Sequence, residues 1–492
     1  MRTIFSLIFI FVISSSAVGQ WASPLDNQCP PLLSARLRAM GQVGIAVPDL
    51  PTEVFINPAM LTLNKPTYVF AGPLFTRYRQ EESQQIPSVP SNPSSFYYHD
   101  NSTEMTYGGF TGGYGWLGPI AVGGCIAHTI STTDMDGDQF SYESSPGYSF
   151  EGYYRRTEKQ TTPNTLGTLQ IALPLGPLAI GIGGTLSGGK GKTSSIGSGY
   201  DITTFSPDSP ERDDMSSDNE NRQTINDRSL NAGALLELEN GIQASLTATF
   251  TGNSVEDAEI RDIEDGNPID AATPTIDNFR ATGSEYCGTI RYRLTESIMI
   301  GSRITYALSN SENKSRRLYN QGSVYDERLN GKTDNTFFQA GIGGAVQTSP
   351  TTLFAVELLL GRLTVDDKAY ATDTITFSAT TFAPGDLIGV STSKFDLRIL
   401  RIGGEIGLME RITGRMGVEY VWRTMNDEQR SDNLSYTVTT NGILHGDLYP
   451  SAGFKIDLTN VFIEYALRTF EPAISGPGDF SFTHLVNVTV GL

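Results

Sequence analysis

Four histidines, His99, His128, His445 and His484, are the side chains best suited to proton transfer near neutral pH in this 492-residue chain. Hydrolytic chemistry also needs a nucleophile and a group that orients the base. No histidine lies in a serine-hydrolase context and no G-x-S-x-G occurs, so the chain reads as a non-enzyme. Asp134-Met135-Asp136-Gly137-Asp138 looks like part of a calcium loop. Its glycine stands fourth rather than sixth, and Glu143 stands tenth where the template has a glutamate twelfth, so a polar surface loop is expected instead. Cys29, Cys125 and Cys287 have no metal-ligand spacing and allow at most one internal disulfide. Cys125 and Cys287 fall in strand-like segments and read as free thiols. Neither a metal nor a cofactor is expected.

A second set of residues offers charge rather than catalysis. Arg291 and Arg293 alternate with Ile290 and Tyr292, and Arg303 precedes Ile304. Arg415, Glu419 and Arg423 alternate with Met416, Val418, Tyr420 and Trp422; Glu464 and Arg468 alternate with Ile463, Tyr465 and Leu467. In an extended chain each set falls on one face. Guanidinium and carboxylate groups form strong, often bidentate hydrogen bonds. On a wet interior wall they would hold neighbouring strands together or dock another segment. Alternatively, some of the arginines would engage an anionic head group. In residues 395–408 the alternation slips near Ile399-Leu400, which predicts a bulge that keeps Arg398, Arg401 and Glu405 all pointing inward.

Such residues must be carried on strands. Ile242, Ala244, Leu246, Ala248 and Phe250 fall on one face of a segment whose other face is Gln243, Ser245, Thr247 and Thr249. That is one apolar wall and one wet wall. From about residue 66 to 492 such segments recur, joined alternately by very short and very long connectors. Short turns are expected near 116–119, 174–177, 239–241, 294–297, 348–350, 408–411 and 457–460. Long polar connectors are expected near 79–103, 131–163, 189–228, 252–281, 309–334, 365–393, 425–446 and 470–481. Seven turns and eight connectors give sixteen strands, an all-β transmembrane antiparallel barrel with both ends on the short-turn side, which is periplasmic in outer-membrane barrels. Residues 117–124 and 175–183 share a Leu-Gly-Pro turn leading into a strand, a hairpin duplication at most. Residues 482–492 supply the closing strand, with Val486, Val488, Val490 and Leu492 on one face.

Composition agrees. At 38% hydrophobic residues and a mean hydropathy of −0.20, a helical membrane bundle is excluded, because each of its spans needs about 20 apolar residues. A barrel needs only every second residue apolar. Net charge −19 argues against nucleic acid as a partner. Residues 208–227 hold seven carboxylates against Arg212 and Arg222, and residues 256–270 hold seven against Arg261. They read as solvated, mutually repelling loops. Their oxygens also suit Ca²⁺ or Mg²⁺ bridging to a lipopolysaccharide surface. Arg2, the apolar run 4–13 and the small residues 14–19 read as a signal peptide over 1–19. Residues 20–65 lack the strand rhythm and form a separate N-terminal segment; the barrel takes 66–492.

That segment carries a motif. Met40-Gly41-Gln42-Val43-Gly44-Ile45-Ala46-Val47-Pro48-Asp49 is followed by Val54-Phe55-Ile56-Asn57-Pro58-Ala59-Met60-Leu61. It resembles the N-terminal region of the FadL-type fatty-acid transporter superfamily, including its PorV-like branch. Gly41, Gly44, Ala46 and Asp49 match a Gly-x-x-Gly-x-Ala-x-x-Asp stretch; Phe55, Asn57, Pro58, Ala59 and Leu61 match aromatic-x-Asn-Pro-Ala-x-Leu. The resemblance implies a hatch plugging the lumen from the periplasmic side, with Gly41, Gly44, Asn57, Pro58 and Ala59 in plug packing. It also implies fourteen strands, where the connectors give sixteen. It implies a bacterial outer-membrane barrel for passive uptake of hydrophobic or amphipathic molecules such as long-chain fatty acids. The alternatives are a partner subunit of envelope or secretion machinery and, third, a general diffusion porin. The expected partners are outer-membrane lipid and lipopolysaccharide, a hydrophobic small molecule, or an envelope protein.

Overall fold

The structure is a computed structural model describing residues 34–47, 50–63, 67–86, 94–145, 148–204, 210–264, 267–268, 276–314, 329–371, 375–377, 380–431, 436–469 and 482–491. The signal-peptide segment 1–19, Cys29 and the connector 470–481 lie outside the described residues. Sixteen strands make the wall: β1 Tyr68–Ile86, β2 Ser94–Leu117, β3 Ile120–Ser145, β4 Tyr148–Leu175, β5 Leu178–Thr204, β6 Pro210–Glu237, β7 Ile242–Glu264 and β8 Ile276–Arg293, then β9 Ile298–Lys314, β10 Leu329–Ser349, β11 Thr352–Ala371, β12 Leu387–Met409, β13 Ile412–Ser431, β14 Tyr436–Leu458, β15 Val461–Thr469 and β16 Phe482–Gly491. Each pairs antiparallel with its neighbours in sequence, and β1 pairs with both β2 and β16, so the sheet closes on itself. A short bridge at Asn267–Pro268 and a small hairpin, Ile375–Phe377 with Thr380–Phe382, lie outside this count. The connector arithmetic therefore holds at sixteen rather than fourteen.

All seven short turns fall where expected; Gly118, Gly176 and Gly241 sit in them at positive φ, a conformation glycine adopts without strain. The long connectors need correction. Most of their polar residues continue the ladder as strand: β5 and β6 run 27 and 28 residues and leave only 205–209 between them. Polarity marks where a strand leaves the membrane, not where it ends. Residues 208–227 are thus largely strand, as is Asp134–Asp138 within β3, which rules out a calcium loop there. Arg155 on β4 donates to Asp136 (2.9 and 3.3 Å), and that hydrogen bond holds the Asp136 carboxyl below its ordinary range.

The lower, short-turn half carries the apolar outer face. Ile126, Leu169, Leu186, Leu246, Ile290, Ile304, Ile342 and Met416 are all more than half exposed and point away from the lumen. Exposed apolar area on this scale marks a lipid-facing belt. Gln243, Ser245, Thr247 and Thr249 face inward beside it, as the alternation requires, with Thr247 and Thr249 buried. No bulge occurs at Ile399-Leu400, whose register with both neighbours is continuous. In the two ladders of this strand the register shifts lie instead at Ala369/Tyr370 and Gly407/Met409. With the phase unbroken, Arg401 and Glu405 face the lumen, while Arg398 faces outward and is exposed. Apolar residues on both faces of this stretch had concealed its true phase.

Candidate functional site

Residues 34–47 and 50–63 lie against the lumen face of the short-turn half. Ser34 caps a short helix, α1 Ala35–Ala39, by accepting from Leu37 N (2.9 Å). The backbone then reverses at Gly41 (φ +68°) and Gln42 (φ +64°). A second helix, α2 Leu50–Ile56, leads into a 3₁₀ turn at Pro58–Leu63. Ala39, Met40, Val43, Ile45, Val54 and Ala59 are fully buried. Their neighbours come from around the wall: Met40 and Gly41 lie over Gly403 and Gly417, Ile45 over Gly301, Gly341 and Gly343, Asn57 over Gly233, and Pro58 and Ala59 over Gly181.

The hatch-motif residues have local roles that their chemistry explains. Asn57 Oδ1 accepts from Ala59 N (3.0 Å), an Asx turn, and its amide donates to Ala234 O and Leu246 O on the wall (3.3 and 3.4 Å). Gln170 and Asn231 both donate to Phe55 O (2.8 and 3.2 Å). Gly41 N donates to Ser451 Oγ (3.0 Å), which donates to Ala39 O (3.1 Å). Gly44 N and Ile45 N both donate to one Glu357 oxygen.

The inward charges form one network with this segment. Arg291 donates to Ile45 O (2.8 Å), Gly44 O (3.0 Å) and Gln243, and forms a bidentate pair with Glu53. Arg401 joins Glu419 (2.6 Å) to Gln42, and Arg468 takes the other Glu419 oxygen (2.6 Å). Arg415 pairs with Glu464 (2.8 Å) and Glu405 (3.5 Å), and Glu405 also holds Arg36 of α1. Arg423 sits higher and half exposed, 3.7 Å from Asp447. Arg293, expected on the lumen wall, is exposed at the end of its strand. Arg303 faces the lumen with its buried Nε lacking an acceptor among the described residues. Glu357, Glu53 and Arg36 were not singled out from sequence. Glu357 had a signal: it is the lone charge in Leu353-Phe354-Ala355-Val356-Glu357-Leu358-Leu359-Leu360.

This network makes a testable point. Glu357→Gln keeps an acceptor for Gly44 and Ile45 but removes its charge. The difference between charged and neutral hydrogen bonds is about 1–2 kcal/mol. Tryptic cleavage at Arg38, which is buried against the wall, should speed up by roughly tenfold in the folded barrel, read by mass spectrometry. An unchanged rate would show that the carboxylate does not hold the segment.

Above residues 34–63 the lumen contains a cavity of about 200 Å³, lined by β4–β11. Its apolar lining residues are Leu166, Ala307, Phe337 and Leu363; the last three continue into a buried cluster with Val365 and Phe395. Polar residues interleave with them, among them Ser187, Asp227, Asn253, Glu285 and Asn335. Among the described residues no group of three or more candidate metal ligands occurs, and Cys125 and Cys287 are free, buried thiols.

No protein-family model matches the chain, and no curated protein does. Solved structures do. A FadL homologue of Pseudomonas aeruginosa aligns over 94% of this chain and 98% of its own at 10% identity, TM-score 0.43. The toluene transporter TodX of P. putida aligns over 93% and 98% at 12% identity, TM-score 0.39. The toluene transporter TbuX of Ralstonia pickettii aligns over 93% and 98% at 13% identity, TM-score 0.35. Over nearly its whole length the chain is thus similar, at low identity, to a FadL homologue and to two toluene transporters.

Proposed function

We propose that this chain is an outer-membrane β-barrel for passive uptake of hydrophobic or amphipathic small molecules, with residues 34–63 as its hatch. The observation that carries the reading is the half-apolar cavity seated above a segment that occupies the short-turn half of the lumen. Ligand sites combine an apolar wall with a few placed polar groups, and this cavity has both. A general diffusion porin needs an open polar path, and on this reading the hatch would stand in it. The motif resemblance points to an apolar chain like that of a long-chain fatty acid. Outer-membrane lipid meets the apolar belt, and the polar upper strands stand where lipopolysaccharide would be.

The test is purification from native membranes, with lipid analysis, mass spectrometry of co-purifying proteins and bilayer conductance. The expected result is a bound amphiphile and no steady conductance. Steady conductance with no amphiphile would sink the uptake reading in favour of a porin. A stoichiometric envelope protein with no amphiphile would replace it with the partner-subunit reading.

A further inference from the structure

Resting on the outer-membrane part of that reading and not on uptake, we infer that the outer face of β6–β9 seats one lipopolysaccharide molecule. An acyl chain of its lipid A lies in an apolar furrow, and a lipid A phosphate sits on Arg228. The furrow, of about 400 Å³, opens on the lipid-facing belt and is walled by Leu178, Leu236, Leu246, Ile290 and Ile304. Gly288 is its floor. It pairs with Leu246 on one side and Ile304 on the other, both more than half exposed, and a Cβ at Gly288 would meet nothing within 4 Å. A glycine between two large apolar side chains leaves a slot where a methylene chain finds contacts on three sides.

Above the furrow the same face changes character in order. Phe250 and Tyr286, both exposed, meet edge to face with ring centres 6.3 Å apart, an aromatic level like that of a membrane interface. The next outward residue on β7 is Gly252. Arg228 of β6, exposed and in register with it, lies over it: a Cβ on Gly252 would stand 3.2 Å from Arg228 Nε. The guanidinium therefore leans across β7, above the ring pair. Its neighbours on this face are Leu186 and Gly252 in register and Leu230 and Asn226 along β6. From Leu246 to Gly252 the strand runs roughly 20 Å, the reach of an acyl chain whose head group stays at Arg228. Lys190 and Arg222, both exposed, continue the patch upward. Lys192 there is held by Glu220 (2.9 Å), and Arg280 faces Glu312 in register. Charge decides the occupant: a guanidinium binds phosphate through paired, charge-assisted hydrogen bonds, which strengthen at the edge of a low-dielectric layer. With the short turns periplasmic, this level is the outer leaflet, where lipopolysaccharide carries phosphates directly above its acyl chains.

The full chain, delipidated in detergent micelles, is titrated with lipid A, with lipid A stripped of its phosphates and with phosphatidylglycerol, and bound lipid is counted by native mass spectrometry. Lipid A should be retained at one molecule per barrel. Arg228→Ala should weaken it by roughly tenfold, removal of the phosphates should weaken the parent by as much, and the two losses should not add. Gly288→Phe fills the furrow and should weaken lipid A by roughly tenfold with or without its phosphates. Gly344→Phe, at another open glycine on the outer face, should not. Equal binding by the parent, Arg228→Ala and Gly288→Phe, or no retention of lipid A, would overturn the inference. Phosphatidylglycerol held as tightly as lipid A would also overturn it, putting a phospholipid in place of lipopolysaccharide. None of these results touches the lumen: a bound amphiphile without conductance would still support uptake, and failure of uptake would leave the lipid seat standing.

Discussion

Arg291→Ala should release residues 34–63 from the wall while leaving the barrel folded. The guanidinium is buried, and it is the bidentate partner of Glu53, whose side chain is only 9% exposed. It also satisfies the carbonyls of Gly44 and Ile45. Removing one member of a buried ion pair strands the other, at a cost of about 3–5 kcal/mol. The stranded carboxylate belongs to α2, so the cost is relieved by letting that segment leave. A 4 kcal/mol change raises the population of the undocked segment by roughly a thousandfold. Tryptic cleavage at Arg36 and Arg38 should rise accordingly, and transient conductance events should appear in planar bilayers. Arg291→Ala combined with Glu53→Ala removes both charges and should recover much of the loss, since it leaves no buried charge alone. Equal cleavage in the single and double variants would show that the pair contributes nothing to docking.

This network was half visible in the sequence. Alternation alone put Arg291, Arg415, Glu419, Glu464 and Arg468 on one wall, because period two is a property of the strand and needs no knowledge of neighbours. Their partners were not visible. Glu53 and Arg36 lie in helical turns where no strand phase applies, and pairing with residues hundreds of positions away is set by barrel closure. The same limit explains Arg398: a stretch apolar on both faces, Leu397-Arg398-Ile399-Leu400, has no readable phase. The seven short turns were legible because tight hairpins restrict residue type. Strand ends at the other rim were not, since a polar strand above the membrane and a polar loop have the same composition. The cavity was invisible for a related reason: its lining comes from eight strands, β4–β11, that only the closed sheet brings side by side.

The glycine seats offer the second large effect, and they separate docking from barrel stability. Gly417 lies on the lumen face of β13, and a Cβ there would stand 2.1 Å from Met40 C and 2.2 Å from Gly41 N. These are backbone atoms, and Gly41 at φ +68° has no easy alternative path. Gly417→Val should therefore cost about 3 kcal/mol or more in docking, at the upper end of overpacking. Within the sheet the change is favourable, since valine suits a strand better than glycine. The matched control is Gly344→Val on β10, where a Cβ would meet nothing within 4 Å. Both variants should keep the β-sheet circular dichroism and heat resistance of the parent. Only Gly417→Val should expose Arg36 and Arg38 to trypsin. If both variants resist cleavage equally, the wall yields to the added side chain and the glycines are not what seats the segment. If both are cleaved, the barrel itself has loosened.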